Sequence, residues 1–136
     1  FENTKRLLQE VGFMGVHIFK YSPRQGTPAA DFPEQVSPEM KAKRSRELAQ
    51  LSEELFLRYA ERFLHQVSEV LVEQRDREGL WEGHTPNYLL VKLQSEQDLK
   101  NRIIEAKITE IGKNFVFGEG VGPKVPEVLN ETRKGV

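Results

Sequence analysis

Three histidines, a scatter of aromatic rings and a set of cations are the residues of this chain with chemistry to offer. His17, His65 and His84 stand apart, with no second histidine or carboxylate at metal-ligand spacing, so no zinc site is predicted. Cysteine is absent, which removes disulfides, thiolate ligands and cysteine-held iron–sulfur clusters from these 136 residues. No Ser, His and Asp grouping forms a nucleophile elbow, and Gly118-x-Gly120-x-Gly122 lacks the strand-to-helix setting of a phosphate loop. A self-contained enzyme is therefore not expected, and what remains is recognition chemistry. Trp81, His84, Tyr88, Phe115 and Phe117 carry flat faces on which unpaired bases can stack, and Asn87 can hydrogen-bond a base edge. Lys92, Arg102, Lys107 and Lys113 can contact phosphates. Each has a plainer reading beside it: Phe115 and Phe117 share one face of a strand, as core residues do, and a single lysine is often just solvated surface.

Bulk charge does not decide between these readings. The 20 Lys+Arg nearly cancel the 21 Asp+Glu, and a net charge of −1 leaves RNA binding to rest on local patches. The 38% hydrophobic content supports a core. With 30% charged residues, no apolar run near the ~18 residues of a membrane span and no basic-then-apolar start, neither an anchor nor a secretory signal is predicted.

The elements that must position these residues follow from periodicity. Thr4 to Val11 reads as the end of an amphipathic helix with Leu7, Leu8 and Val11 on one side and Gly12 just past its end. Phe13 to Phe19, with Val16 and Ile18, has the composition of a strand buried on both faces of a parallel sheet. Nothing downstream supplies its neighbours, and the chain begins at Phe1, so residues 1–20 are expected to be the last αβ turn of a larger α/β domain, whose end is expected to run over residues 1–36. Without that sheet the strand should pair with another copy or lie against the long helix that follows. Three prolines and a glycine make residues 20–35 a loop, and Tyr21, Ser22, Arg24 and Gly26 would emerge at the strand's carboxyl end, where parallel barrels place their chemistry. A plain connector is the other reading of this loop. Ser37 and Pro38 then suit the N-cap and first position of a helix whose Leu48, Leu51, Leu55, Tyr59 and Phe63 form one stripe. Lys41, Lys43, Arg44 and Arg46 make its first turns basic, with Glu47, Glu53 and Glu54 diluting the field.

Beyond residue 65 the period changes to two. Runs at Val67–Glu73, Leu80–Gly83, Tyr88–Leu93, Ile103–Ile111 and Asn114–Glu119, separated by turn residues, predict five short strands. So few strands avoid exposed edges by closing, which gives an OB-like barrel over residues 65–121, joined through a helix at 37–64 and followed by a loose tail at 122–136. The fold class expected is α+β.

The stretch Phe19-Lys20-Tyr21-Ser22-Pro23-Arg24-Gln25-Gly26-Thr27-Pro28-Ala29-Ala30, followed by Gln35-Val36 and the basic helix, resembles the carboxyl end of the radical-SAM domain of methylthiotransferases. Val67-Ser68-Glu69-Val70-Leu71-Val72-Glu73 is similar to the first strand of the TRAM domain that closes those enzymes. Gly83-His84-Thr85-Pro86-Asn87-Tyr88 looks like the branch that modifies threonylcarbamoyladenosine beside the tRNA anticodon. The resemblance covers roughly residues 2–120. It implies a cytoplasmic parent enzyme that places a methylthio group on C2 of that adenosine, using S-adenosylmethionine and two 4Fe-4S clusters whose cysteine motifs lie upstream. This part would hold no cofactor, metal or catalytic residue; it would bind the anticodon stem-loop, with Arg24 able to clamp a phosphate or the threonyl carboxylate. Two alternatives stand beside it: the branch that modifies an aspartate of a ribosomal protein, from which Pro23-Arg24 and Thr85-Pro86-Asn87-Tyr88 differ, and a free-standing RNA-binding module.

Overall fold

The structure, a computed structural model, describes residues 1–122. The tail expected at 122–136 lies, from residue 123 on, outside the described residues. Two compact units divide the chain, one of residues 1–62 and one from Phe63 on.

In the first unit, helix α1 (Glu2–Val11) ends at Gly12, whose φ of 70° puts it in the left-handed region and whose N–H donates to the Leu8 carbonyl. Helix α2 (Pro38–Glu61) begins as its sequence requires, with the Ser37 side chain accepting from the Met40 N–H. Leu51, Leu55, Phe56 and Ala60 are its buried residues. Between the helices runs an irregular segment with a single short 3₁₀ turn at Pro28–Asp31.

The strand expected at Phe13 to Phe19 does not form, and its burial on two faces is corrected with it. The segment makes no ladder, Phe13 is exposed and Phe19 is 88% exposed. A strand exists only where a neighbour takes its N–H and C=O groups, and the described residues contain none for this segment. It lies against α2 instead: the Val16 N–H donates to Ser52 Oγ at 3.1 Å.

The second unit is a closed barrel in the order β1-β2-β3-β5-β4, from β1 (Val67–Arg75), β2 (Trp81–His84), β3 (Leu90–Leu93), β4 (Ile103–Ile111) and β5 (Val116–Gly120). Every pairing is antiparallel except β3 with β5. Alternation sends Val70 and Val72, Trp81, Val91 and Leu93, Ile104, Ala106 and Ile108, and Val116 into the core. Closure leaves no edge strand, so the five runs satisfy one another's backbone groups.

Candidate nucleic-acid interface

The barrel sorts the expected contact residues by strand parity. Trp81 points inward, is 4% exposed, donates from Nε1 to the Ser95 carbonyl at 3.3 Å and carries the Arg75 guanidinium 4.5 Å from its ring centre. The stacking role expected of it is therefore corrected: it is a core residue, because the first position of β2 faces the barrel axis. Phe115 and Phe117 move the other way. Val116 and Gly118 fill the interior, so the two rings stand outside, half-buried and edge-to-face with centres 5.0 Å apart.

Lys92 is spent inside the protein. Its ammonium lies 2.9 Å from Asp76 Oδ2 and 3.0 Å from Glu82 Oε1, and 4.8 Å from the Phe115 ring centre. The bond to Asp76, then that to Glu82, holds Lys92 above the usual lysine range, and the bond from Lys92 holds Asp76 below the usual carboxylate range. A cation already shared by two carboxylates has less field to offer a phosphate than an unshared one.

The other candidates face outward. His84 Nδ1 lies 2.7 Å from Glu73 Oε2 across the β1–β2 ladder. Arg102 is half-buried in the turn before β4, its carbonyl accepting from the Val72 N–H at 2.8 Å. Leu71 pairs with His84 on one side and Ile103 on the other, so Arg102, just before Ile103, and Tyr88, just after the end of β2, flank one cross-strand row. Lys107 is exposed on β4, opposite Val67 and Glu119, and Lys113 is exposed in the turn before β5. Because β3 and β5 start side by side, Val91 against Val116, the turns holding Tyr88 and Lys113 lie at the same end of the barrel.

The turn from β2 to β3 is the most defined part of this surface. The Tyr88 N–H donates to the Thr85 carbonyl at 2.9 Å and the Thr85 N–H to the Leu89 carbonyl at 3.1 Å. Thr85, the buried polar residue at 4% exposure, donates from its hydroxyl to Asn87 Oδ1 at 2.6 Å and accepts from the Leu89 N–H at 3.0 Å. Tyr88 projects from this frame, 76% exposed. Thr85 was not among the candidates expected from sequence; its signal was the Thr-Pro-Asn run ahead of an aromatic.

In the first unit, Tyr21 is covered on one face by Lys41, whose ammonium is 5.3 Å from the ring centre and donates to the Tyr21 carbonyl. Ser22 and Arg24 are exposed, Gly26 has a φ of 82°, and Thr27 closes the turn on the Arg24 carbonyl through its N–H and hydroxyl. A cavity of about 460 Å³ is lined by Phe19, Tyr21, Phe32, Lys41 and Arg44 among others, and neither Ser22 nor Arg24 reaches it.

This unit is a small closed five-stranded β-barrel, and residues 61–121 match the TRAM domain family. Over most of its length the chain matches the C-terminal portion of tRNA methylthiotransferases. It is 32% identical over 137 residues to the Threonylcarbamoyladenosine tRNA methylthiotransferase MtaB of Bacillus subtilis (strain 168), a match that covers 98% of this chain and 30% of that protein. It is 38% identical over 120 residues to the tRNA-2-methylthio-N(6)-dimethylallyladenosine synthase of Thermodesulfovibrio yellowstonii, covering 88% of this chain and 27% of the relative. The enzyme of the same description from Roseiflexus sp. (strain RS-1) is 42% identical over 116 residues, covering 82% and 24%. The chain thus spans less than a third of the length of these relatives. Among the described residues no helix is long and apolar enough to cross a membrane, and no group of three or more His, Cys, Asp or Glu could hold a metal ion.

Proposed function

We propose that this chain is the tRNA-binding, C-terminal part of a cytoplasmic methylthiotransferase that modifies C2 of threonylcarbamoyladenosine beside the anticodon. In this reading residues 1–36 end the α/β domain, residues 37–64 connect, and residues 65–121 carry the RNA contact. The observation that carries it is the TRAM domain, which suggests RNA binding, joined to an outward surface of Tyr88, Asn87, His84, Arg102, Lys107 and Lys113. The threonylcarbamoyl branch is favoured by the relative of that specificity, whose match covers 98% of the chain. The chain has no cysteine, so its residues do not fit a 4Fe-4S cluster; S-adenosylmethionine and both clusters would belong to the rest of the parent enzyme. In the loop, Tyr21, Ser22, Arg24 and Gly26 would meet the substrate nucleotide, with Arg24 as the anion contact. The unladdered edge from Phe13 to Phe19 supports self-association of the isolated chain, which light scattering would register as a dimer.

The test is a titration of anticodon stem-loops carrying threonylcarbamoyladenosine, dimethylallyladenosine or unmodified adenosine, at several salt concentrations. We expect binding that weakens as salt rises. In Arg102→Ala and Lys107→Ala the salt slope should shrink by about one for each phosphate that is no longer neutralised. Tighter binding of the dimethylallyl stem-loop would reassign the branch. Absence of salt-dependent binding to any of the three would remove the RNA reading, and binding to a basic ribosomal protein instead would move the chain to the aspartate-modifying alternative.

A further inference from the structure

The barrel contains a comparison that isolates one residue. Its first two turns share one frame. In the first, the Asp76 N–H donates to the Leu80 carbonyl at 2.8 Å and the Gly79 N–H to the Asp76 carbonyl at 3.2 Å, which is the pattern of Thr85, Tyr88 and Leu89 in the second. Each turn also has a side-chain oxygen at its first position taking the N–H of its fifth residue: Asp76 Oδ1 from Leu80 and Thr85 Oγ1 from Leu89. The fourth residue of each is left-handed, with φ of 87° at Gly79 and 65° at Tyr88. Hairpin turns ordinarily place glycine at this position, because a Cβ there is crowded by the backbone. The first turn follows that rule and the second breaks it with a bulky ring. In the barrel the other left-handed non-glycine residues are His65, Asn101 and Asn114, types that visit this region more readily than tyrosine.

Most of the residue lies outside the protein. It is 76% exposed, whereas Trp81 carries Arg75 and Phe115 carries both Phe117 and Lys92. No ring or cation contact engages Tyr88 among the described residues, so its faces are open. Strain held at a solvent-facing residue by an over-determined frame marks a place selected for something other than stability. Lys113 stands in the turn at the same barrel end as Tyr88.

We propose that the Thr85–Leu89 turn is a preformed stacking platform for one unpaired RNA base, with Tyr88 as its face and the buried Thr85 as the positioning residue that holds it. This rests on the RNA reading above and deepens it. Binding costs less when the ring is already held in its working conformation. Thr85 positions the turn from within: its hydroxyl is consumed by Asn87 and by the Leu89 N–H and is not offered to the ligand.

The experiment uses the full chain, a synthetic anticodon stem-loop, thermal melting and salt-dependent titration on the same preparations. Tyr88→Gly should melt at or above the wild-type temperature, because the left-handed strain is relieved, yet bind roughly five- to 150-fold more weakly with an unchanged salt slope. Tyr88→Phe should bind as wild type does. Thr85→Val should weaken binding although Tyr88 is intact, and Thr85→Ser should restore it; should Thr85→Val fail to fold, Tyr88→Gly and Thr85→Ser still decide. A Tyr88→Gly protein that binds undiminished, or that melts below wild type, overturns the platform while leaving the RNA reading in place. A wild-type chain that binds no stem-loop overturns both.

Discussion

The two turns that enclose β2 sit nine residues apart on one backbone plan, and they are anchored by opposite chemistry. The turn from β1 to β2 is held by a carboxylate: Asp76 takes the Glu78 and Leu80 N–H groups on Oδ1 and the Lys92 ammonium on Oδ2, partly open to solvent. The turn from β2 to β3 is held by a neutral, buried hydroxyl. One is a charged clasp around an unstrained glycine, the other an uncharged clasp around a strained tyrosine. The difference teaches that one backbone frame accepts two kinds of fourth residue: glycine in the first turn, and in the second a tyrosine left 76% exposed.

The largest effect should come from the buried clasp. Thr85→Val leaves the Leu89 N–H and Asn87 Oδ1 without their partner, a loss of about 1–3 kcal/mol measurable by urea denaturation. If the cost were negligible, the turn would be held by its backbone pairs alone and the parallel with Asp76 would fail. Next comes the glycine of the other turn. Gly79→Ala puts a Cβ on a left-handed residue, with nothing crowding the added atom, so about 1–2 kcal/mol of backbone cost should appear by itself. An unchanged midpoint would show that the left-handed position is cheap in this frame, and Tyr88 would then carry no strain.

The smallest effect is the sharpest discriminator. Asp76 is held below its unfolded value of roughly 3.9, so its contribution is complete above that pH and is lost as pH falls through the folded value. Lys92 is held above its unfolded value of roughly 10.4, so its contribution is complete below that pH and fades as pH rises through the folded value. The charged clasp therefore has an acid limb and the hydroxyl clasp has none. Melting temperatures measured from about pH 5 down to about pH 2 should fall less steeply in Asp76→Asn than in wild type, while Thr85→Ser should keep the wild-type slope. Superimposable curves for Asp76→Asn and wild type would show that the ionic clasp contributes nothing to stability.

Much of the barrel was legible because its signals are local. Ile104, Ala106 and Ile108 alternate with Glu105, Lys107 and Thr109, and a two-residue period can be satisfied in only one way once one face is buried. Ser37 and Gly12 likewise announce helix ends through side-chain and backbone chemistry confined to a single turn. The strand expected at Phe13 to Phe19 was the exception, because apolar composition records a preference for burial and a strand needs a partner as well.

By itself the sequence determined the order and type of the barrel strands, the capped helices and, through its motifs, the likeness to methylthiotransferases. Tertiary structure alone decided which candidate residues are buried or paired and which face outward. Trp81 and Tyr88 look equivalent as aromatic residues beside a turn, yet one lies in the core and the other is 76% exposed. Lys92 and Lys107 look equivalent as strand lysines, yet one is neutralised by Asp76 and Glu82, which lie 16 and 10 residues before it. Register brought those carboxylates to it. The physical reason is that periodicity fixes which residues share a face, while strand pairing across the closed barrel fixes what each face meets.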